Sequence, residues 1–340
     1  MLVAVTGGTG FIGSHTLVAI QDAGHRVRAL VRDPAKLKRI YEPMGRKVDE
    51  TVVGDVTDPH SAAQLLDGCD AVVHAAAVVA LEAGRADEVR RTNSSGVRLV
   101  VGGAVERQQR VVYVSSAGAL FTRGCAPLTS ESPIGETRNA YGASKAEAEH
   151  YVREQQNRGA AVLTTYPTAV VGPDDPSYTD PNRALSLFLE WGGPLTSTGY
   201  QPIDVRDLAQ MHVRLLEGER SSGRYIAAGP YLPWAELLDE IDRLTGREMR
   251  RIRLSGGVLR GIGRIADIAK RIVRFDLPLT HEGMIFGTCW PTADGSPAQR
   301  DLAMRFRSLE ETLSDTYRWL HRAGHLRHDQ LGDLAPPLRG

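Results

Sequence analysis

The chain has 340 residues, 42% hydrophobic and 24% charged, which is enough to bury a large core and places it among ordinary globular proteins. Its 41 basic side chains are matched by 41 acidic ones, so no net field is available to hold a polyanion, and nucleic acid is excluded as an expected partner. Cys69, Cys125 and Cys289 show neither Cys-x-x-Cys spacing nor histidine companions, so no metal site and no disulfide framework is expected.

In chain order, apolar β-branched runs at residues 2–5, 27–31, 50–53, 71–74, 110–115 and 161–165 read as short buried strands. Segments with helical spacing lie between them, one after Phe11, then 61–66, 85–108 and 141–157. Short buried strands alternating with helices predict an α/β fold, a doubly wound parallel sheet covered on both faces. After Pro167 the rhythm breaks. A loop at 172–176 precedes helices at 185–191 and 204–216, the second with Asp204 as N-cap. One more strand follows at 225–228, and from Trp234 the chain is mostly helical. The start of the chain has no basic leader, and no apolar run reaches the ~20 residues of a spanning helix. A cytoplasmic location with reduced thiols is therefore expected.

Thr6-Gly7-Gly8-Thr9-Gly10-Phe11-Ile12-Gly13 directly follows the first strand and opens the first helix. Gly7, Gly10 and Gly13 suit a tight turn, a close approach to a pyrophosphate and close packing of helix on sheet. The helix start at Phe11 and Ile12 offers unpaired N–H groups and a partial positive charge. A dinucleotide is the expected ligand. Proteins selective for NAD place an acid at the end of the second strand, where this chain has Val31. Arg32 follows, with Lys36 on a short helix, and a guanidinium suits a 2′-phosphate. NADP(H) is thus preferred, with NAD(H) as the alternative. Asp33 would repel a phosphate, but it is better placed as the N-cap before Pro34.

With Gly54-Asp55-Val56-Thr57-Asp58, His74-Ala75-Ala76-Ala77, Asn93, Val114-Ser115-Ser116-Ala117, Tyr141-Gly142-Ala143-Ser144-Lys145 and the run from Tyr166 to Pro173, the chain closely resembles the extended short-chain dehydrogenase/reductase family over nearly its whole length. The order of the expected elements divides the chain into a Rossmann domain over 1–172, completed by 201–230, and a smaller, mostly helical substrate-binding part over 173–200 and 231–326, with a tail over 327–340. The resemblance adds expectations for single residues. It implies that Asp55 and Val56 flank the adenine and that Ala75, Ala76 and Ala77 pass close to the cofactor. Pro167, Thr168 and Val170 would line the nicotinamide pocket, and Asn93 would hold a water that links Lys145 to solvent. Between the adjacent serines it selects Ser116 rather than Ser115 as the active hydroxyl.

The chemistry also follows from the residues. Tyr141 and Lys145 are four apart on an expected helix, so they share a face. A free tyrosine titrates near ~10, and a neighbouring ammonium favours the phenolate and lowers that value. Tyr141 can then pass a proton to or from a substrate oxygen, while Lys145 also holds a ribose hydroxyl. Ser116 ends the fifth strand at the edge where such sheets bind ligands and would bond the substrate oxygen. His74 is expected to be a satisfied core residue without a catalytic role.

The triad does not by itself separate reductases, epimerases and dehydratases. Nucleotide-sugar enzymes of the family carry an asparagine where this chain has Ala169, and an acid where it has Val31. The run from Pro167 to Pro173 looks more like the dihydroflavonol-reductase and 3β-hydroxysteroid-dehydrogenase branch. The leading expectation is reduction of an apolar ketone or aldehyde, or oxidation of a secondary alcohol. An epimerase that retains its cofactor and a dinucleotide-sensing regulator stay open. Residues 259–275 form a basic amphipathic segment, read as a helix packed on the substrate part, as a lid, or as a surface touching anionic lipid. Met284, Ile285, Phe286 and Trp290 line an apolar pocket or belong to the core. The resemblance also points to a homodimer through the helices at 85–108 and 141–157.

Overall fold

In a computed structural model the described residues are 1–78, 89–136, 140–270 and 280–336, without the side chains of Ala140, Tyr141 and Glu282. The β-branched runs form β1 (Leu2–Thr6), β2 (Arg26–Val31), β3 (Glu50–Val53), β4 (Ala71–His74), β5 (Arg110–Val114) and β6 (Val162–Pro167). With the strand Gly223–Ala227 they make one sheet of seven in the order Gly223–Ala227, β6, β5, β4, β1, β2, β3, all parallel. The chain moves outward from β1 to β3, then crosses back to the other side of β1 for β4 to β6. That reversal between β1 and β4 is the switch point where a crevice opens beyond the carboxyl ends of the strands. In register, Thr6 lies opposite His74, His74 opposite Tyr113, and Tyr113 opposite Thr164.

Alternation along each strand assigns the two faces. Val3, Val5, Ala29, Val73 and Val112 pack with the first helix, Phe11–Asp22, and the helix Val205–Glu217. Ala4, Leu30, Val72, Val111 and Tyr113 pack with Pro59–Leu66, Gly96–Glu106 and Ala140–Asn157. On the first face, buried His212 joins Thr16 Oγ1 at 2.8 Å to Thr165 Oγ1 at 3.2 Å. Burial lowers this imidazole to about 3, so it is neutral in the fold.

A separate core holds the C-terminal part, where Leu185 and Leu189 meet Leu237, Leu238 and Ile241 of the helix Trp234–Thr245, and Leu313, Tyr317 and Leu320 of Leu309–Arg322. The expected tail over 327–340 is corrected here. A short helix, His328–Leu331, is followed by a turn to Leu334, and Leu331 and Leu334 are buried in that core. Three well-placed leucines, beginning at Leu326, suffice to dock a segment too short to show helical periodicity. Residues 337–340 lie outside the described residues, as do 85–88 of the expected 85–108 helix and 271–275 of the basic segment. Among the described residues no helix is long and apolar enough to cross a membrane.

Candidate active site

The glycine loop is shaped by close approaches. Gly7 has φ +75°, and a Cβ there would lie 2.7 Å from the backbone of Ala75 and Ala76. A Cβ on Gly13 would sit 2.1 Å from the Gly7 carbonyl oxygen. Gly7 therefore makes the turn against the exit of β4, and Gly13 lets the helix seat on the loop. Gly10 donates its N–H to Gly7 O at 2.9 Å and is the N-cap of the first helix, with no side chain capping it. The N–H groups of the first turn, at Phe11 and Ile12, are thereby left for an anion. Thr6 Oγ1 accepts from Ala76 N–H at 3.2 Å and lies 2.9 Å from His74 Nδ1, which fixes the small residues Ala75 to Ala77 beside the loop. Tyr41 OH closes the loop from behind by donating to Gly8 O at 2.7 Å. An uncapped helix start facing a cradle that any Cβ would fill fits a dinucleotide.

At the end of β2, Val31 is buried and offers no polar group. Asp33 caps the helix Pro34–Tyr41 and accepts from Ala35 N–H at 2.8 Å. The backbone N–H groups of Lys36 and Ala35 hold its carboxyl below the usual range. Arg32 is exposed, with Nη1 4.0 Å from Asp55 Oδ2, and Lys36 is half-buried nearby on the same helix. Asp55 Oδ1 is occupied by the N–H and hydroxyl of Thr57, at 2.9 and 2.7 Å. Val56 is largely buried, with its side chain against Gly96, so its packing role competes with the adenine contact expected of it.

The two adjacent serines after β5 point apart. Ser115 is buried and donates to Glu149 at 2.9 Å. Ser116 is half-exposed, and its hydroxyl accepts from Gly118 N–H at 3.1 Å, capping the turn Ala117–Ala119. The helix Ala140–Asn157 packs on that turn. Lys145 on this helix is 4% exposed, with Nζ 5.9 Å from the centre of the Tyr113 ring. Burial lowers its ammonium to about 8, against the opposing pull of Glu149 one turn further on. The Tyr113 ring is stacked on His74. Burial, and then the Lys145 charge, lower the His74 imidazole to about 3. Tyr141 lies in the first turn of the helix, one turn before Lys145, and its side chain is outside the described residues.

Asn93 sits in a single π-turn, Arg91–Ser95, a distortion common at functional sites. Its amide accepts from Val78 N–H at 2.8 Å and donates to Val78 O and Ser144 Oγ, both at 3.0 Å. The amide therefore clamps the Val78 backbone to the Lys145 helix.

Glu149 was missed by sequence reasoning. It is fully buried and accepts from Ser115, from Arg153 Nε at 2.9 Å and from the Tyr166 hydroxyl. Burial and the Glu149 charge push the Tyr166 phenol well up. Counting one further turn from Tyr141 and Lys145 along the same helix face would have found it.

On the far side of the crevice, Pro167 ends β6, Thr168 donates its N–H to Ala227 O at 3.0 Å, and Val170 is largely buried. Beside Ser116 stands an aromatic group that joins the two parts of the molecule. Phe121 lies 5.2 Å from Phe286 and 5.6 Å from Trp290, centre to centre. Phe286 and Trp290 are half-buried, and a Cβ on Gly118 would lie 3.2 Å from Ser116 Oγ and 3.6 Å from Phe286 Cζ. The helix His281–Cys289 that supplies Phe286 is pinned at Gly287 O by Thr198 Oγ1 at 2.9 Å and Trp234 Nε1 at 3.1 Å.

Comparison with known proteins agrees with this layout. Residues 3–228 match the NAD dependent epimerase/dehydratase family. The chain is 26% identical over 344 residues to a "Putative dihydroflavonol 4-reductase" of Synechocystis, covering 95% of each protein. It is 26% identical over 341 residues to "Sterol demethylase protein B" of Methylococcus capsulatus, covering 95% of this chain and 99% of that one. The solved structure of gox2253 superposes with a TM-score of 0.77 at 24% identity, over 96% of this chain and 99% of that one. The chain belongs to the NAD-dependent epimerase/dehydratase family, in the extended short-chain dehydrogenase/reductase branch, and is an NAD(P)-dependent enzyme acting on carbonyl or alcohol groups.

Proposed function

We propose that this enzyme is an NADP(H)-dependent oxidoreductase that interconverts a carbonyl and an alcohol on an apolar small molecule, with Tyr141 as the acid/base. The observation that carries the reading is the pairing of the outward Ser116 hydroxyl with the aromatic group Phe121, Phe286 and Trp290 directly beside it. Such a wall accepts an apolar body while one hydroxyl fixes its single polar oxygen. When bound, the nicotinamide dinucleotide supplies or accepts the hydride. Ser116 donates to the substrate oxygen, and Tyr141 gives that oxygen a proton in reduction or removes it in oxidation. Lys145, one turn away, favours the phenolate and holds a ribose hydroxyl. The sterol named for the Methylococcus relative is itself an apolar molecule, which supports this substrate class.

NADP(H) is preferred because Asp33 is spent as a helix cap and Arg32 stands exposed at the end of β2. The test is titration with NADPH and NADH, followed by a ketone and aldehyde panel read at the nicotinamide absorbance. Arg32→Ala should weaken NADPH by about tenfold or more and leave NADH nearly unchanged. Tyr141→Phe should lower turnover by roughly 10²-fold or more while dinucleotide binding persists. Tightly held NAD(H) that copurifies, with no net turnover of any carbonyl, would overturn the reading in favour of an epimerase.

A further inference from the structure

The helix Gly256–Ala269 wears apolar side chains on the side away from the one it packs. Its inward face is made of small residues. Gly263 and Ala266 are buried, and a Cβ on Gly263 would lie 2.7 Å from Thr280 O in front of the helix His281–Cys289. Outward stand Val258, Ile262, Ile265 and Ile268, exposed by 50%, 38%, 68% and 59%. At ~100° per residue these four fall within an arc of about 120°. Within the amphipathic segment, Ala266 thus faces in and Ile262 faces out. A single exposed isoleucine is ordinary, but four aliphatic side chains on one helix face form a patch that marks a contact surface.

The charges around the patch identify what it contacts. Arg264 on this helix is exposed, and exposed Arg253 lies three residues before its start, whereas Arg260 is directed to the packed side. The only carboxylate of the helix, Asp267, is turned inward and accepts from His281 N–H at 3.0 Å. An aliphatic strip edged by cations, with its one acid withdrawn, complements a layer of anionic headgroups over acyl chains. A second copy of the chain fits less well. A two-fold contact through this face would set Arg264 against its own copy.

We propose that the helix Gly256–Ala269 docks the protein on an anionic lipid surface, with Val258, Ile262, Ile265 and Ile268 at the headgroup–acyl boundary. The same helix packs on His281–Cys289, and Arg260 Nη1 donates to Thr288 Oγ1 at 2.7 Å across that contact. A Cβ on Gly118, beside Ser116, would lie 3.6 Å from Phe286 Cζ of the second helix. The docked helix therefore stands one helix away from the aromatic wall of the site. The surface itself does not depend on which reaction the site performs.

The experiment is sedimentation of the purified full-length protein with vesicles of phosphatidylcholine, with and without phosphatidylglycerol, at low and high salt. The expected result is about tenfold or more preference for anionic vesicles at low salt, falling as salt is raised. Ile265→Glu combined with Ile268→Glu, and the milder Arg264→Gln with Ile265→Ser, should each weaken that binding severalfold or more. Both variants should keep the thermal midpoint and the dinucleotide affinity of the parent, because the altered side chains are exposed. Failure of the parent protein to bind either vesicle would overturn the proposal, as would binding that survives both variants. A drop in particle mass by light scattering on Ile265→Glu, without a change in vesicle binding, would assign the face to a second copy instead.

Discussion

Ser115 is anchored to Glu149 by a buried hydrogen bond of 2.9 Å, while the next residue, Ser116, presents its hydroxyl on the opposite side of the strand end. This alternation follows from the twofold period of an extended chain. It divides two chemically identical side chains into one that holds the scaffold and one left half-exposed at the strand end, where the proposed function has it meet substrate.

The division predicts opposite phenotypes. Ser116→Ala should lower kcat by roughly 10²-fold with little change in stability or dinucleotide affinity, as expected for loss of a donor to a reacting oxygen. Ser115→Ala should leave kcat within a fewfold and cost about 1–3 kcal/mol of stability, because a buried carboxylate loses a donor. Steady-state kinetics and urea unfolding of both variants check this. Equal kinetic losses would show that the two hydroxyls are not separated in function.

Glu149 ties β5, β6 and the Lys145 helix together through Ser115, Tyr166 and Arg153. Glu149→Ala should destabilise by about 3–5 kcal/mol, because it strands the partly buried Arg153 guanidinium. Arg153→Ala added to it should cost much less than it does alone, a coupling that a double-mutant cycle reads directly. Additive costs would mean that the network is not a unit.

Acid should weaken the fold through its buried imidazoles. His74 and His212 are lowered to about 3 in the folded chain, against ~6.5 unfolded. The unfolded chain therefore binds more protons as pH falls below ~6.5, and stability declines toward pH 3. Above ~6.5 both states are neutral and these groups contribute no slope. His212→Gln should flatten the decline by up to about one proton per molecule, measured by unfolding at a series of pH values. An unchanged slope would show that this imidazole does not titrate on unfolding.

Lys145 acts at the alkaline end. Its folded value of about 8 lies below the ~10.4 of an unfolded lysine. Between these values the unfolded chain again holds the extra proton, so the contribution of Lys145 to stability improves as pH rises. Below pH 8 the cost of burying its charge is fully present. The stability difference between the parent and Lys145→Met should therefore shift in favour of the parent from pH 8 to pH 10. A flat difference would place the ammonium in a more solvated setting.

Gly13→Ala tests the loop without touching a polar group. A methyl there would meet the Gly7 carbonyl at 2.1 Å. The helix must then lift from the loop, at about 1–3 kcal/mol and a tenfold or greater loss of dinucleotide affinity by titration. Unimpaired binding would mean that the loop can relax without losing its cradle.

The parts legible in the amino-acid order are those governed by near neighbours. The strands showed as β-branched runs, and the glycine loop as a fixed spacing between strand and helix. Asp33 and Asp204 showed as helix caps because each bonds an N–H two residues on. Sequence reading likewise separated Ser116 from Ser115, through family resemblance rather than through any local signal.

Other features depend on segments far apart in the chain that only the topology brings together. Glu149 gathers partners from two strands, and Asn93 joins Val78 to Ser144 through its amide. The aromatic wall joins Phe121 to Phe286 and Trp290 across nearly half the chain's length. Helical periodicity marked the segment near Ile265 as amphipathic but could not say which stripe faces inward. Packing decided that, because only small residues such as Gly263 and Ala266 allow the helix to sit close to its neighbour, leaving the isoleucines outside. Local hydrogen bonding and periodicity are written in adjacent residues. The direction in which a side chain finally faces depends on what the rest of the fold places against it.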